Sequence, residues 1–158
     1  MKLISWNIRG YNIPLKKRLL KWKINMEKHA MFFLQETKCN NKEMEKITRR
    51  AWKGALVAAI DAKGVAGGLG LLWNPNLVSI SNLFATHFSI STRFHILGSE
   101  TKGVVTNVYG PFQPSKKYAF LNKIGSNKEW VENDHWIIGG DFNIIHSLEE
   151  KKRGGKGN

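Results

Sequence analysis

The chain has 158 residues, with 25 Lys and Arg against 12 Asp and Glu, a formal net charge of +13. That length predicts one domain with its own core, and 42% hydrophobic residues with six Trp and eight Phe exclude intrinsic disorder. No apolar run approaches the roughly 20 residues of a membrane span, no apolar signal core follows Met1-Lys2, and the single Cys39 excludes an internal disulfide.

Residues 2–8 alternate and are rich in β-branched and aromatic side chains, which predicts a strand. Leu3, Ser5 and Asn7 then share one face, with Ile4, Trp6 and Ile8 on the other. Gly10 to Pro14 reads as a turn, with Pro14 placed to open a helix. That helix is expected from Leu15 to Lys28, with Leu15, Leu19, Trp22 and Met26 as its apolar stripe and Lys16, Lys17, Lys21, Lys23 and Lys28 largely off it. Ala30–Gln35 has the length and composition of a buried strand ending at Glu36, and Asn41–Lys53 reads as a second, strongly charged helix. Residues 1–60 thus carry 14 basic and four acidic side chains, a net of +10. Such a surface fits a polyanion, nucleic acid or membrane phosphate, and it also fits plain solvation of two helices.

Beyond Lys53 the texture changes to strands. Strands are predicted at Ala55–Ile60, Leu69–Trp73, Leu77–Leu83, Phe88–Ile96 and Gly103–Tyr109, punctuated by Gly, Asn and Pro. From Gly64 to Ser99 the only charged residue is Arg93. Lys116–Val131 reads as a helix with Tyr118, Leu121, Ile124 and Trp130 inward, and His135–Gly140 as a last strand before Asp141. Residues 1–148 form one unit, and the charged, Gly-rich 149–158 reads as a disordered tail. This order predicts two layers of sheet with helices outside.

Polar residues gather at the ends of the apolar strands: Asn7, Glu36, Tyr109, then Asp141 and Asn143. Strands running the same way bring such ends to one edge, and an extended backbone would point Asp141 and Asn143 the same way. Two carboxylates and two amides are hard oxygen donors, suited to Mg²⁺ or Mn²⁺ far better than to zinc. Any one of them alone is equally a strand-end turn residue. The glycines at 64, 67, 68 and 70 lack the Gly-Lys-Ser/Thr ending of a phosphate-binding loop and read as a tight turn. Cys39 has no feature of a nucleophile, and Trp22, Trp52, Trp73 and Trp130 read as packing residues.

Ser5-Trp6-Asn7, Leu34-Gln35-Glu36-Thr37, Asn107-Val108-Tyr109-Gly110-Pro111 and Gly139-Gly140-Asp141-Phe142-Asn143 occur in this order. The series resembles the endonuclease/exonuclease/phosphatase superfamily of metal-dependent phosphodiesterases. Trp6–Gly10, Gln35–Lys38, Gly67–Trp73 and Glu149–Gly155 resemble in particular the endonuclease of plant non-LTR (long interspersed) retrotransposons. The resemblance implies a four-layer α/β sandwich, two facing mixed sheets flanked by helices. It implies Glu36 as the principal ligand of Mg²⁺ (or Mn²⁺), with Asn7 supporting the metal or the phosphate. Tyr109 would contact the phosphate, Asp141 orient or deprotonate the attacking water, and Asn143 steady the phosphate. DNA is the implied substrate, nicked to prime reverse transcription by a downstream polymerase, in the nucleus or cytoplasm rather than outside the cell. Arg9, Lys16, Lys17 and Lys21 are the candidate DNA contacts.

Two departures qualify the likeness. Phe112 stands where the abasic-site branch has Asn after Tyr-x-Pro. The family also continues past Gly-Asp-Phe-Asn to a Ser-Asp-His segment carrying a catalytic His and further carboxylate, for which His135 and His146 are no substitutes. The expectation is therefore a fold incomplete at its C-terminus, exposing apolar surface. The alternative function is a catalytically inactive nucleic-acid-binding remnant.

Overall fold

The computed structural model describes residues 2–26, 31–63, 67–131 and 134–144. In chain order these form β1 (Leu3–Asn7), α1 (Pro14–Met26), β2 (Met31–Gln35), α2 (Asn41–Ala51), β3 (Leu56–Ile60) and β4 (Leu69–Trp73). There follow β5 (Val78–Ala85), β6 (Ser89–Ile96), β7 (Lys102–Tyr109), α3 (Pro114–Ser126), a short 3-10 turn (Asn127–Val131) and β8 (His135–Asp141). The 149–158 tail, His146 and residues 64–66 lie outside the described residues.

All five residues of β2 are buried, because both faces of this strand are covered. Its Phe32 and Leu34 pack with Leu20 and Ile24 of α1 and Met44 and Ile47 of α2. Its Met31 and Phe33 point the other way, into a core shared with Leu71, Ile90, Phe94 and Val105. The result is two four-stranded sheets, ordered β1-β2-β4-β3 and β5-β6-β7-β8. Each is mixed: β1 and β2 run parallel, as do β7 and β8, while the remaining pairs are antiparallel. Helices α1 and α2 cover the outer face of the first sheet, and Phe120 and Ile124 of α3 pack on Val108 of the second. The four-layer α/β sandwich expected from the sequence is the observed fold. Gly139 permits a close approach of β8 to the opposite sheet, since a Cβ there would lie 3.3 Å from the Phe33 ring.

The helix faces differ from expectation. In α1 the buried residues are Leu20 and Ile24, while Leu15, Leu19, Trp22 and Met26 are exposed, Trp22 at 57% and Met26 at 64%. Both i, i+4 sets are apolar, and the sheet beneath takes the one that meets Phe32 and Leu34. Trp22 is therefore not a packing residue. In α3, Ile124 is buried as expected and Phe120 joins it, but Tyr118 (76%) and Leu121 face solvent. The helix also ends at Ser126, short of the expected Val131, and the chain continues as the 3-10 turn. Trp130 lies in that turn, where the guanidinium of Arg93 sits over its ring. Arg93, the lone charge in 64–99, pairs with Asp134 and donates to the Trp130 carbonyl at 2.6 Å.

Between the sheets lies a polar clamp. Asn107 of β7 is wholly buried and donates through Nδ2 to the carbonyls of Gly70 (2.9 Å) and Leu34 (3.2 Å) in the opposite sheet. Its Oδ1 accepts from Gln35 Nε2 at 2.6 Å, and Gln35 Nε2 also lies 3.1 Å from Ser5 Oγ. Every polar atom of the Asn107 side chain is thus satisfied without water. Removing it orphans buried groups, each costing about 1–3 kcal/mol. Asn107→Ala should therefore lower the unfolding free energy by about 3 kcal/mol in urea titrations, and a change below about 1 kcal/mol would show the clamp to be dispensable.

Candidate active site

The parallel pairs place the C-terminal ends of β1, β2, β7 and β8 at one end of the sandwich. Asn7 closes β1 and Glu36 follows β2, while Tyr109 closes β7 opposite Asp141, which closes β8. Asn7 Nδ2 donates to Asp141 Oδ2 at 2.6 Å, tying the two sheets together at this rim. Gly110 N donates to the Asp141 carbonyl at 2.7 Å and extends the β7–β8 ladder by one step.

The loops leaving these strands are unusual. Arg9, Glu36, Lys38 and Asn143 all have positive φ, between 49° and 55°, a region non-glycine residues seldom occupy. Such conformations cost energy and persist only where surrounding bonds impose them. Here Gly10 N donates to the Glu36 carbonyl and Tyr11 N to the Thr37 carbonyl, both at 2.7 Å. From the other side, Thr37 N donates to Gly68 O (3.2 Å) and Lys38 N to Gly67 O (3.0 Å). Gly68 has φ +90°, and a Cβ there would sit 2.3 Å from Thr37 Oγ1. The glycine loop before β4 is therefore a brace for the Glu36 loop, a role the sequence reading missed. The only signal was the adjacency of Gly67 and Gly68, which also suits a turn.

Asp141 and Asn143 do not share an extended face. The strand stops at Asp141, whose Oδ1 accepts from Asn143 N at 2.9 Å, and this turn carries Asn143 into positive φ. The Asn143 amide donates to the Gly110 carbonyl at 2.6 Å, beside the Tyr109 side chain. Burial, then the nearby Glu36 and Asp141 carboxylates, push the Tyr109 phenol up to about 12. Arg9 and the Asn143 amide act the other way. Tyr109 is consequently a neutral hydroxyl donor at ordinary pH. Phe112 is exposed beside it, its ring edge-on to Tyr109 at 5.9 Å between centroids.

Of the basic candidates, Arg9 lies close enough to act on Tyr109. Lys16 spends its ammonium on the Ile8 carbonyl at 2.7 Å, and Lys17 donates to Asn12 Oδ1 at 2.8 Å. Lys21 lines a groove further along α1. Lys38, not foreseen, stands 3.4 Å from Glu36 Oε1. Cys39 is buried and burial pushes its thiol up, so it is no nucleophile.

Asn7 Oδ1 is buried without a hydrogen-bond partner. An orphan carbonyl oxygen beside a carboxylate costs stability unless something satisfies it. With Glu36, only 19% exposed at its side chain, it offers the hard oxygen donors a divalent cation takes. The donor set therefore fits Mg²⁺ or Mn²⁺. Among the described residues no three His, Cys, Asp or Glu side chains converge, so an amide oxygen is needed in the set. No helix among them is long and apolar enough to cross a membrane.

Comparison with known proteins is consistent with this geometry. The fold matches a mannosyl-6-phosphatase of Bacteroides thetaiotaomicron (TM-score 0.70, 13% identity, 90% of this chain and 65% of that one). It also matches the endonuclease domain of TRAS1, a telomere-specific non-LTR retrotransposon (0.68, 13%, 90% and 61%). An AP endonuclease of Leishmania major is similar too (0.68, 18%, 90% and 55%). The chain thus spans less than two thirds of the length of these structures. No curated protein matches its sequence. The model of the Endonuclease/Exonuclease/phosphatase family matches residues 4–158, and the chain belongs to that family.

Proposed function

We infer that this chain is the endonuclease portion of a non-LTR retroelement of the plant type, a divalent-metal-dependent phosphodiesterase that nicks DNA. The observation that carries this reading is the junction of Asn7 and Asp141 across the two sheets, beside Glu36 and Tyr109. Asn7 through its free Oδ1 and Glu36 through its carboxylate would hold Mg²⁺. When bound, the cation supplies positive charge against the phosphate as negative charge develops there.

The remaining work falls to the side chains. Asp141 has both carboxylate oxygens fixed, by the Asn7 amide and the Asn143 N–H, so it is oriented to accept a proton from water. Tyr109 keeps its proton and donates to a phosphate oxygen. Asn143, through the Gly110 carbonyl, fixes the end of β7 that carries that hydroxyl. Arg9 at the mouth attracts the phosphodiester. DNA is favoured over a phosphosugar by the retroelement-like strings Trp6–Gly10 and Gln35–Lys38. The retrotransposon and AP endonuclease likenesses support nucleic acid, and the setting is nicking that frees a 3′-hydroxyl for a polymerase encoded downstream.

Plasmid nicking in Mg²⁺ against EDTA tests the reading. Glu36→Gln should abolish Mg²⁺ binding by calorimetry with the thermal midpoint unchanged, and unaltered affinity would remove Glu36 from the site. Asp141→Ala should lower nicking at least about 10²-fold. DNA binding with no metal-dependent nicking would instead favour an inactive nucleic-acid-binding chain.

Tyr109 gives a pH test. Its folded value of about 12 lies above the ordinary 10.0, so the folded state holds this proton more tightly. The associated stability is intact below pH 10 and is lost as pH rises through 12. The fall in urea midpoint across that window should therefore be smaller in Tyr109→Phe than in the parent. Equal falls in the two proteins would place Tyr109 in an ordinary, solvated environment.

A further inference from the structure

A cluster of positive charge lies away from the cleft, on the outer face of the first sheet. Helices α1 and α2 enclose a groove of about 370 Å³ into which Lys17, Arg18 and Lys21 project from one wall and Lys46 and Arg50 from the other. Ile47 forms part of an apolar floor. Of the two acidic residues in α2, Glu43 lines the groove but closes the capping box, accepting from Asn40 N at 3.0 Å. Glu45 pairs with Arg49 at 3.8 Å, and Arg49 is not among the groove-lining residues. Among the described residues none of the five groove cations has an ion-pair partner. Five cations against the single Glu43 carboxylate leave the trough net positive, which favours an anionic ligand between them.

The spacing narrows the ligand. Lys17 and Lys21 on one wall and Lys46 and Arg50 on the other are each four residues apart, a separation of about 6 Å along a helix. That is close to the separation of successive phosphates along one nucleic-acid strand. Packed helices lie only about 8–10 Å apart, so the trough is too narrow to admit a duplex but accepts a single backbone. Its upper end, at Asn12 and Lys17, adjoins the Gly10–Tyr11 segment that holds the Glu36 loop. We propose that the α1–α2 groove is a second phosphate track that seats a single nucleic-acid strand outside the catalytic cleft. The choice of nucleic acid over other polyanions rests on the reading of the cleft, whereas the charge and shape of the groove do not.

The test is binding of a fluorescent thymidine oligonucleotide to the full chain in EDTA, with affinity measured against salt. Arg50→Gln should reduce the slope of log affinity on log salt by about 0.7, and Lys46→Gln/Arg50→Gln by about 1.4. Arg49→Gln, adjacent in sequence and equal in charge, should leave the slope unchanged. All of these positions are exposed on one helix, and matching urea midpoints would confirm that folding is intact. Equal slopes for Arg49→Gln and Arg50→Gln would overturn the track. Displacement of the oligonucleotide by inorganic tripolyphosphate at equal phosphate concentration would also overturn it, in favour of a small-anion site. Because no turnover occurs in EDTA, groove-dependent binding without nicking in Mg²⁺ would count against the cleft alone.

Discussion

The architecture depends on one buried carboxamide. Asn107 reaches from β7 into the facing sheet and satisfies backbone carbonyls on β2 and β4 while accepting from Gln35. Apolar packing between sheets is non-directional and would tolerate sliding, whereas these bonds accept only one placement. The residues immediately above are Glu36 on one strand and Tyr109, two positions on, on the other. The clamp therefore sets the distance between the Glu36 carboxylate and the Tyr109 hydroxyl from beneath, and the Asn7–Asp141 bond sets it again at the rim.

Above that rigid base the site loops carry the strain. Among the described residues, four of the five non-glycine positions with positive φ are in loops bordering it, among them Glu36 and Asn143. Glu36 and Lys38 sit in a loop held by backbone bonds to the Gly10–Tyr11 and Gly67–Gly68 segments, and Asn143 is held by its own N–H on the Asp141 carboxylate. This explains why the glycine pair 67–68 matters although neither residue carries a functional group. It supplies acceptors where both residues take positive φ and where a Cβ at Gly68 would collide with Thr37 Oγ1.

Strand positions were legible because β-branched and aromatic residues cluster between Gly, Asn and Pro breaks, and observed strand ends fall within two residues of those expected. The convergence of Asn7, Glu36, Tyr109 and Asp141 followed from the parallel sense of two strand pairs. Helix faces were not legible. In α1 the Leu15–Met26 series and the Leu20–Ile24 pair are both apolar, and only the partner surface decides between them. The turn at Asn143 was missed because spacing alone cannot tell an extended dipeptide from one folded onto its own carboxylate. Pairing of Lys16 with Ile8 O and of Arg93 with Asp134 depends on tertiary proximity that no local pattern encodes.

Each sheet is built from one uninterrupted stretch of chain, residues 3–73 for the first and 78–141 for the second. A ribosome delivers the N-terminal segment first, at a pace slow compared with strand pairing. The first sheet, with its two helices, can therefore assemble while the second is still being synthesised, leaving Phe33, Leu69 and Leu71 open to water. Asn7 and Glu36 are in place early, but Asp141 arrives only with the last described strand. The rim that joins Asn7 to Asp141 is thus closed only when the second sheet docks on the first.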